Sequence, residues 1–167
     1  MKTSYLLLTL ILMSVSGCTS ENPRVMTRLN DSASLMGDLP FNPLHDKVIT
    51  SWIDKSNKTG STMSTLYGND VAIDYARTNA GHDYPTGSVL SVITWSQQED
   101  PRWFGGFVPQ KVKSVEFVTV GVGADHQPSY AYQEYEGAQL KKTAGQEGPT
   151  ANERVALLLA QRAAVMP

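Results

Sequence analysis

Residues able to do chemistry are few and scattered in this chain. His45, His82 and His126 are its only imidazoles, the side chains best suited to ligate a metal or move protons near neutrality. They lack the short spacings through which one element presents two ligands to one ion, so no metal site is assigned and each is expected at the surface. Glu116 lies inside the apolar stretch Ser114-Val-Glu-Phe-Val-Thr-Val120. A carboxylate there is either buried beside a partner, with its proton affinity altered, or turned outward, and the outward case is expected. Lys55, Lys58, Lys111 and Lys113 could bond covalently to a ligand but are expected to be solvated. There is no phosphate loop, dinucleotide fingerprint, HExxH or serine-hydrolase elbow, so no catalytic residue is assigned. The 14 basic and 16 acidic residues give a formal charge of −2, without a basic cluster, which argues against nucleic acid as a partner.

The single cysteine, Cys18, closes the run Val15-Ser16-Gly17-Cys18, preceded by Lys2 and an uncharged apolar stretch from Tyr5 to Met13. A basic start, a short apolar run and small residues at a cleavage point form an export peptide, and the run is shorter than the roughly 20 apolar residues of a spanning helix. The pattern resembles the bacterial lipobox. Residues 1–17 are then a lipoprotein signal peptide, and the Cys18 sulfur carries a diacylglycerol thioether, with palmitate as the usual label. A lone cysteine has no partner for an internal disulfide, which fits this use; the competing account is an ordinary signal peptide with an incidental cysteine. Thr19, not Asp, follows Cys18, and by the usual sorting pattern this favours the periplasmic face of the outer membrane.

The elements that must position any site begin after a polar stretch. Residues 18–42 carry Pro23, Gly37 and Pro40 and no sustained apolar period, and are expected to be the lipidated cysteine and a flexible tether. The alternative is an ordered arm docked through Leu35, Met36, Leu39 and Phe41. In the strand that follows, Val48, Thr50 and Trp52 should share one side and Ile49, Ser51 and Ile53 the other. Asn57-Lys58-Thr59-Gly60 then turns the chain into a second strand, Ser61 to Tyr67. Gly68-Asn69-Asp70 stops it and caps a helix with Val71, Ala72, Tyr75 and Ala76 on one face and Gly81 at its close. After the Asp83–Gly87 turn, the run from Val89 to Trp95 is apolar on both faces, so it should be a central strand. Strands over Val112–Val122 and Tyr130–Tyr135 follow, joined by the Gly121–Pro128 loop, with Tyr130, Tyr132 and Glu134 on one face and Tyr135 opposed. At the end, Thr150-Ala-Asn-Glu153 reads as a capping box ahead of a helix burying Val155, Leu158, Leu159, Arg162 and Met166. The fold class expected is α+β, mainly antiparallel β-sheet with packed helices.

Several landmarks in order resemble the cytochrome P-460 family: Tyr67-Gly68-Asn69, the Ala72–Ala76 helix, Tyr84-Pro85-x-Gly87-Ser88-Val89-Leu90, Trp95, Trp103, Val108-Pro109, Val115-Glu116-Phe117, Tyr135-x-Gly137 and Leu140-Lys141. The resemblance covers about residues 46–142, within a domain drawn at 43–142, leaving 143–167 as a linker and C-terminal packing helix. It implies a mostly β periplasmic domain, homodimeric in better understood relatives, holding a c-type haem in an aromatic-lined pocket and oxidising hydroxylamine or binding nitric oxide. In those relatives the haem hangs on a CxxCH near the carboxyl terminus. This sequence has no CxxCH, so covalent haem is not expected. Noncovalent haem would need His45, His82 or His126 as its iron ligand, and none stands where the family's axial histidine does. Any pocket is expected among Trp52, Tyr67, Trp95, Trp103, Phe104 and Glu116. The expected protein is an outer-membrane-anchored periplasmic lipoprotein that binds a ligand or serves as an accessory without covalent haem. The alternatives are a noncovalent haem protein handling nitric oxide or hydroxylamine, which as an enzyme would be a haem-dependent oxidoreductase of the family's type, and a purely structural envelope lipoprotein.

Overall fold

A computed structural model of the chain describes residues 30–55, 60–78, 81–143 and 149–164. The signal peptide, Cys18, Lys58, the Asn57–Thr59 turn and Met166 lie outside the described residues. Six strands form one antiparallel sheet in sequence order: β1 (Lys47–Asp54), β2 (Thr62–Gly68), β3 (Val89–Glu99), β4 (Phe107–Val122), β5 (Pro128–Glu136) and β6 (Lys141–Lys142). Helix α1 (Asp70–Thr78) sits in the β2–β3 connection and α2 (Pro149–Leu159) follows β6. The sheet is therefore an up-and-down meander with β3 inside it, as the two apolar faces of the Val89–Trp95 run require.

Both faces of the sheet are covered, each by a different kind of element. On one face Leu66, Leu90, Val92, Val118 and Val120 pack under Ala72 and Ile73 of α1 and Val155, Leu158 and Leu159 of α2. On the other, Tyr67, Ile93, Trp95, Val115, Phe117 and Tyr135 pack under Ala33, Leu35, Leu39 and Phe41. Residues 30–42 are thus docked as an arm, not a tether, because those apolar side chains remove the aromatic face of the sheet from water. Met36, grouped with them from sequence, is instead 62% exposed. The Phe41 and Phe117 rings lie 4.6 Å apart, and the Trp95 indole N–H donates to the Ala33 carbonyl at 3.0 Å.

Local details depart from simple alternation where a backbone irregularity intervenes. A bulge in β1 skips Ile49 between Val48 and Thr50, so Ile49 turns into the helix-side core that Trp52 also touches, and Val48 is left exposed. The bulge frees the Ile49 carbonyl, which accepts from Ala164 N–H at 2.8 Å, tying the segment after α2 to the edge strand. Gly68 is required by contact: an added Cβ would lie 2.7 Å from Ile49 Cδ1 and 3.0 Å from that of Ala72. Asn69 caps α1, its Oδ1 accepting from Ala72 N–H at 3.0 Å, while its Nδ2 donates to the Gly87 carbonyl at 2.8 Å. Gly87 itself has φ 89° in a turn closed by Ser88 N–H to the Pro85 carbonyl, a conformation open to glycine.

Ile73, not Val71, is the buried β-branched residue of α1; Val71 is exposed, since the helix starts at Asp70 and ends at Thr78, before Gly81. β4 begins at Phe107, ahead of the Val112 start expected from the sequence, so Val108 and Pro109 already belong to the strand. Thr150 lies within the first turn of α2, which places it past the cap position, and Arg162 is exposed. Tyr132 and Glu134 do share the helix-side face of β5, opposite Tyr135.

Because the arm closes one core, Phe41→Ala should lower unfolding stability by about 2–3 kcal/mol, read as a shift of the urea midpoint at unchanged slope. A midpoint within error of the parent would return residues 30–42 to the status of a tether.

Candidate functional site

The helix-side face changes character halfway along the sheet. Where β2 and β3 run under the helices, its positions are Leu66, Leu90 and Val92; beyond them the same alternation places Ser64, Thr62, Thr94 and Ser96. Neither helix covers this second half with apolar side chains, and a broad open cavity of about 900 Å³ lies there. Its walls are Trp52 and Asp54 of β1, the hydroxyls of Thr62, Ser64, Thr94, Ser96 and Ser114, Glu116, Glu136 and Arg154. β5 pairs with β4 only from Ser114 onward. The cavity continues past that end to Lys111, Val112, Lys113, Leu140 and, from the arm, Ser32, Ser34 and Met36. The Ser64 and Thr94 hydroxyls share a hydrogen bond of 2.9 Å, leaving further lone pairs and a donor for a ligand.

Glu116 closes the deep end, and it is buried, 3% exposed, not outward-facing as expected from the sequence. Its burial is tolerated because Arg154 of α2 grips it in a two-pronged pair, Nε to Oε2 at 2.6 Å and Nη2 to Oε1 at 2.7 Å, and Tyr132 OH donates to Oε2 at 3.1 Å. Charge-assisted forks of this kind are strong and directional. The Arg154 guanidinium is held above its ordinary value mainly by its hydrogen bonds to Glu116. Burial, followed by the Glu116 charge, pushes the Tyr132 phenol far up, so it remains a donor. Glu134, opposite Glu116 in the β4–β5 ladder, is raised by burial and then by the charges of Glu116 and Glu136. With both carboxylate oxygens engaged, Glu116 has no free base function. The arrangement holds the carboxylate in one orientation and does not form a nucleophile–base dyad.

The residues singled out from sequence are not gathered in one place. Trp52 and Glu116 line the cavity. Tyr67 and Trp95 lie on the opposite face under the arm, and Trp103 and Phe104 stand out at the β3–β4 turn, 74% exposed and fully exposed. His45, in a 3-10 turn before β1, His82, after α1, and His126, in the β4–β5 connection, are all exposed. None borders the cavity. Arg154 and the hydroxyl set escaped the sequence reading. Their signals were present: polar residues every second position downstream of an apolar alternation, and an arginine flanking the Ala151-Val155-Leu158 stripe.

Does this cavity suit a haem? An iron porphyrin needs an axial donor, usually His, Cys thiolate, Tyr, or Met paired with His, and a largely apolar slot. Among the described residues no histidine, cysteine or tyrosine borders the cavity, its sulfur is the largely exposed Met36, and hydroxyl, carboxylate, guanidinium and ammonium groups are spread over its walls. The residues present do not fit the group there.

A one-sheet α+β domain, helices on one face and an arm on the other, with an open polar cavity beside a buried ion pair, is the class defined by fold and site. The family model Cytochrome P460 matches residues 45–153, well over half of the chain, and the chain belongs to the cytochrome P460 family. No curated protein matches it.

Two outcomes follow from these charges. Arg154→Ala should cost about 3 kcal/mol, at the low end for a buried pair because the Arg154 side chain is 32% exposed, whereas Glu116→Leu with Arg154→Met should recover most of the loss; equal losses in the two variants would show that the pair itself, not the orphaned Glu116 charge, carries the stability. Glu134 is held above 4.5, so it is protonated in folded and unfolded chains at low pH and ionises first in the unfolded chain as the pH rises, which lowers stability. Glu134→Gln should therefore raise the urea midpoint at about pH 7 and leave it unchanged at about pH 4.

Proposed function

We propose that this cytochrome P460 family member is a lipid-anchored ligand-binding protein of the bacterial envelope, held through Cys18 on the periplasmic face of the outer membrane and working without covalent haem. Membership of the family suggests a haem-related function. The observation that carries the narrower reading is the cavity, whose hydroxyl floor, Glu116–Arg154 wall and lack of histidine among the described residues suit a small polar molecule. Asp54 and Glu136 on some of its walls and Lys111 and Lys113 on another add charges of both signs, which favours a ligand bearing donors and acceptors or both charges over an apolar one. Trp52 offers a ring face against the apolar part of such a ligand. Of the other aromatic residues expected to line a pocket, Tyr67 and Trp95 lie under the arm and Trp103 and Phe104 stand in solvent, so an apolar binding site near Trp95 and Trp103 is not part of this reading.

The processed chain, produced in a haem-sufficient host, should purify without a Soret band and should not acquire a saturable stoichiometric one on haem titration. A stoichiometric band weakened by replacing His45, His82 or His126 would establish noncovalent haem and overturn the proposal. With monosaccharides, amino acids and dicarboxylates as probes, at least one class should raise the melting temperature, and Thr94→Trp, which fills the cavity, should remove that shift. Palmitate should label the parent chain and not Cys18→Ser; a labelled variant would refute the anchor.

A further inference from the structure

The tip of the sheet between β3 and β4 is built, yet its aromatic residues have little cover. Asp100 N–H bonds the Gly106 carbonyl and Gly106 N–H the Trp103 carbonyl, each at 2.9 Å, and the Asp100 carboxylate accepts from Arg102 N–H at 2.9 Å. Gly105, with φ 74°, completes the turn. The turn holds Trp103 and Phe104 outward, and Phe107 beside them is 48% exposed. Single exposed apolar residues are ordinary, but three aromatics on one tip mark a contact surface.

The start of the arm indicates what that surface meets. The Asn30 side-chain amide donates to the carbonyls of Pro109 and Gln110, at 2.8 and 3.3 Å, just beyond Phe107 on β4. Asn30, the described residue next in the chain toward Cys18, therefore stands at the foot of the aromatic tip. Only 12 positions separate Cys18 from Asn30, a span of at most about 40 Å in any conformation. We propose that Trp103, Phe104 and Phe107 form a second membrane contact, seated at the headgroup level of the bilayer that holds the lipid on Cys18. This rests on the lipid-anchor reading above. Trp and Phe suit that layer, where a ring can enter the apolar region while the indole N–H stays hydrated. The nearby charges of Glu99, Asp100, Arg102 and Lys111 cancel, and Arg102 lies 3.6 Å from Asp100. The attraction is thus apolar and needs no anionic lipid. The short leash makes the contact intramolecular, so a modest intrinsic affinity suffices.

Two contacts instead of one would fix the orientation of the domain on the membrane and, with it, the direction in which the cavity opens. The test uses phosphatidylcholine vesicles with brominated acyl chains, the lipidated chain reconstituted in them, and the Cys18→Ser chain titrated against them. Tryptophan fluorescence should be quenched in both, more by shallow than by deep bromines, and equally at low and high salt. Trp103→Ser should remove the quenching, since Trp95 is sealed by the arm and Trp52 faces the cavity. Phe104→Ser should weaken partition of the Cys18→Ser chain by roughly tenfold. Unquenched fluorescence in a palmitate-labelled chain would overturn the tip contact while leaving the anchor intact. Quenching of the Cys18→Ser chain without palmitate labelling of the parent would uphold the contact and remove the anchor. Self-association abolished by Phe104→Ser, with no quenching, would assign the tip to a second copy and overturn the proposal.

Discussion

A buried carboxylate at the centre of the sheet constrains the rest of this structure. Glu116 sits on β4 between β3 and β5, opposite Val92 and Glu134, where an unpaired charge would cost several kcal/mol. Among the described residues Arg154 supplies its two-pronged partner, which requires α2 to pack on this face of the sheet. That placement aligns Val155, Leu158 and Leu159 with the apolar half of the face. One ion pair thereby sets where the C-terminal helix lies, which part of the face is dry, and where the cavity begins. Burial and then the Glu116 charge raise Glu134 and keep the Tyr132 phenol protonated, while the Arg154 charge acts in the opposite direction on both.

The second face obeys a different constraint. Tyr67, Trp95, Phe117 and Tyr135 make it too aromatic to remain in water, and among the described residues neither α1 nor α2 packs on it. The arm fulfils that role at low cost in chain length: Leu35, Leu39 and Phe41 cover the aromatics while backbone carbonyls, such as that of Ala33, satisfy the one indole N–H beneath. An aromatic strand here encloses a core closed by the chain's own N-terminal segment. Its greasy composition signals burial, not a ligand pocket.

Much of the fold was legible because alternation in strands is a local property. The central position of Val89–Trp95, the β1–β2 hairpin, the helix after Asn69 and the opposed faces of β5 follow from residues within a few positions of each other. What failed depended on register or on distant partners. The bulge at Ile49 cannot be read from an apolar pattern, and it alone reverses the side of that residue. Whether Glu116 turns inward depends on Arg154, far along the chain. The aromatics were taken as one set because they are neighbours in sequence or in type, yet strand parity sends Trp52 to the helix side, Trp95 to the arm side, and the β3–β4 turn sends Trp103 and Phe104 outward.

Strand parity also explains how a family with a haem-related name can present such a cavity here. In β2 and β3 the helix-side positions pass from Leu66, Leu90 and Val92 to Ser64, Thr62, Thr94 and Ser96 without a break in the ladder. A few side-chain choices on an unchanged sheet thus decide whether a slot is apolar or hydroxyl-lined. The matched stretch ends at Glu153, one residue before the arginine that pins α2 over Glu116. The match takes in the whole sheet, α1 and the start of α2, and in this chain Arg154 fixes the buried carboxylate in place. Once Arg154 occupies both oxygens of Glu116, the deep end of the cavity is a closed, charge-balanced wall. On the ligand-binding proposal, recognition then falls to the hydroxyl floor and to the open rim near Lys111, Lys113 and Glu136, where groups of both signs line the cavity.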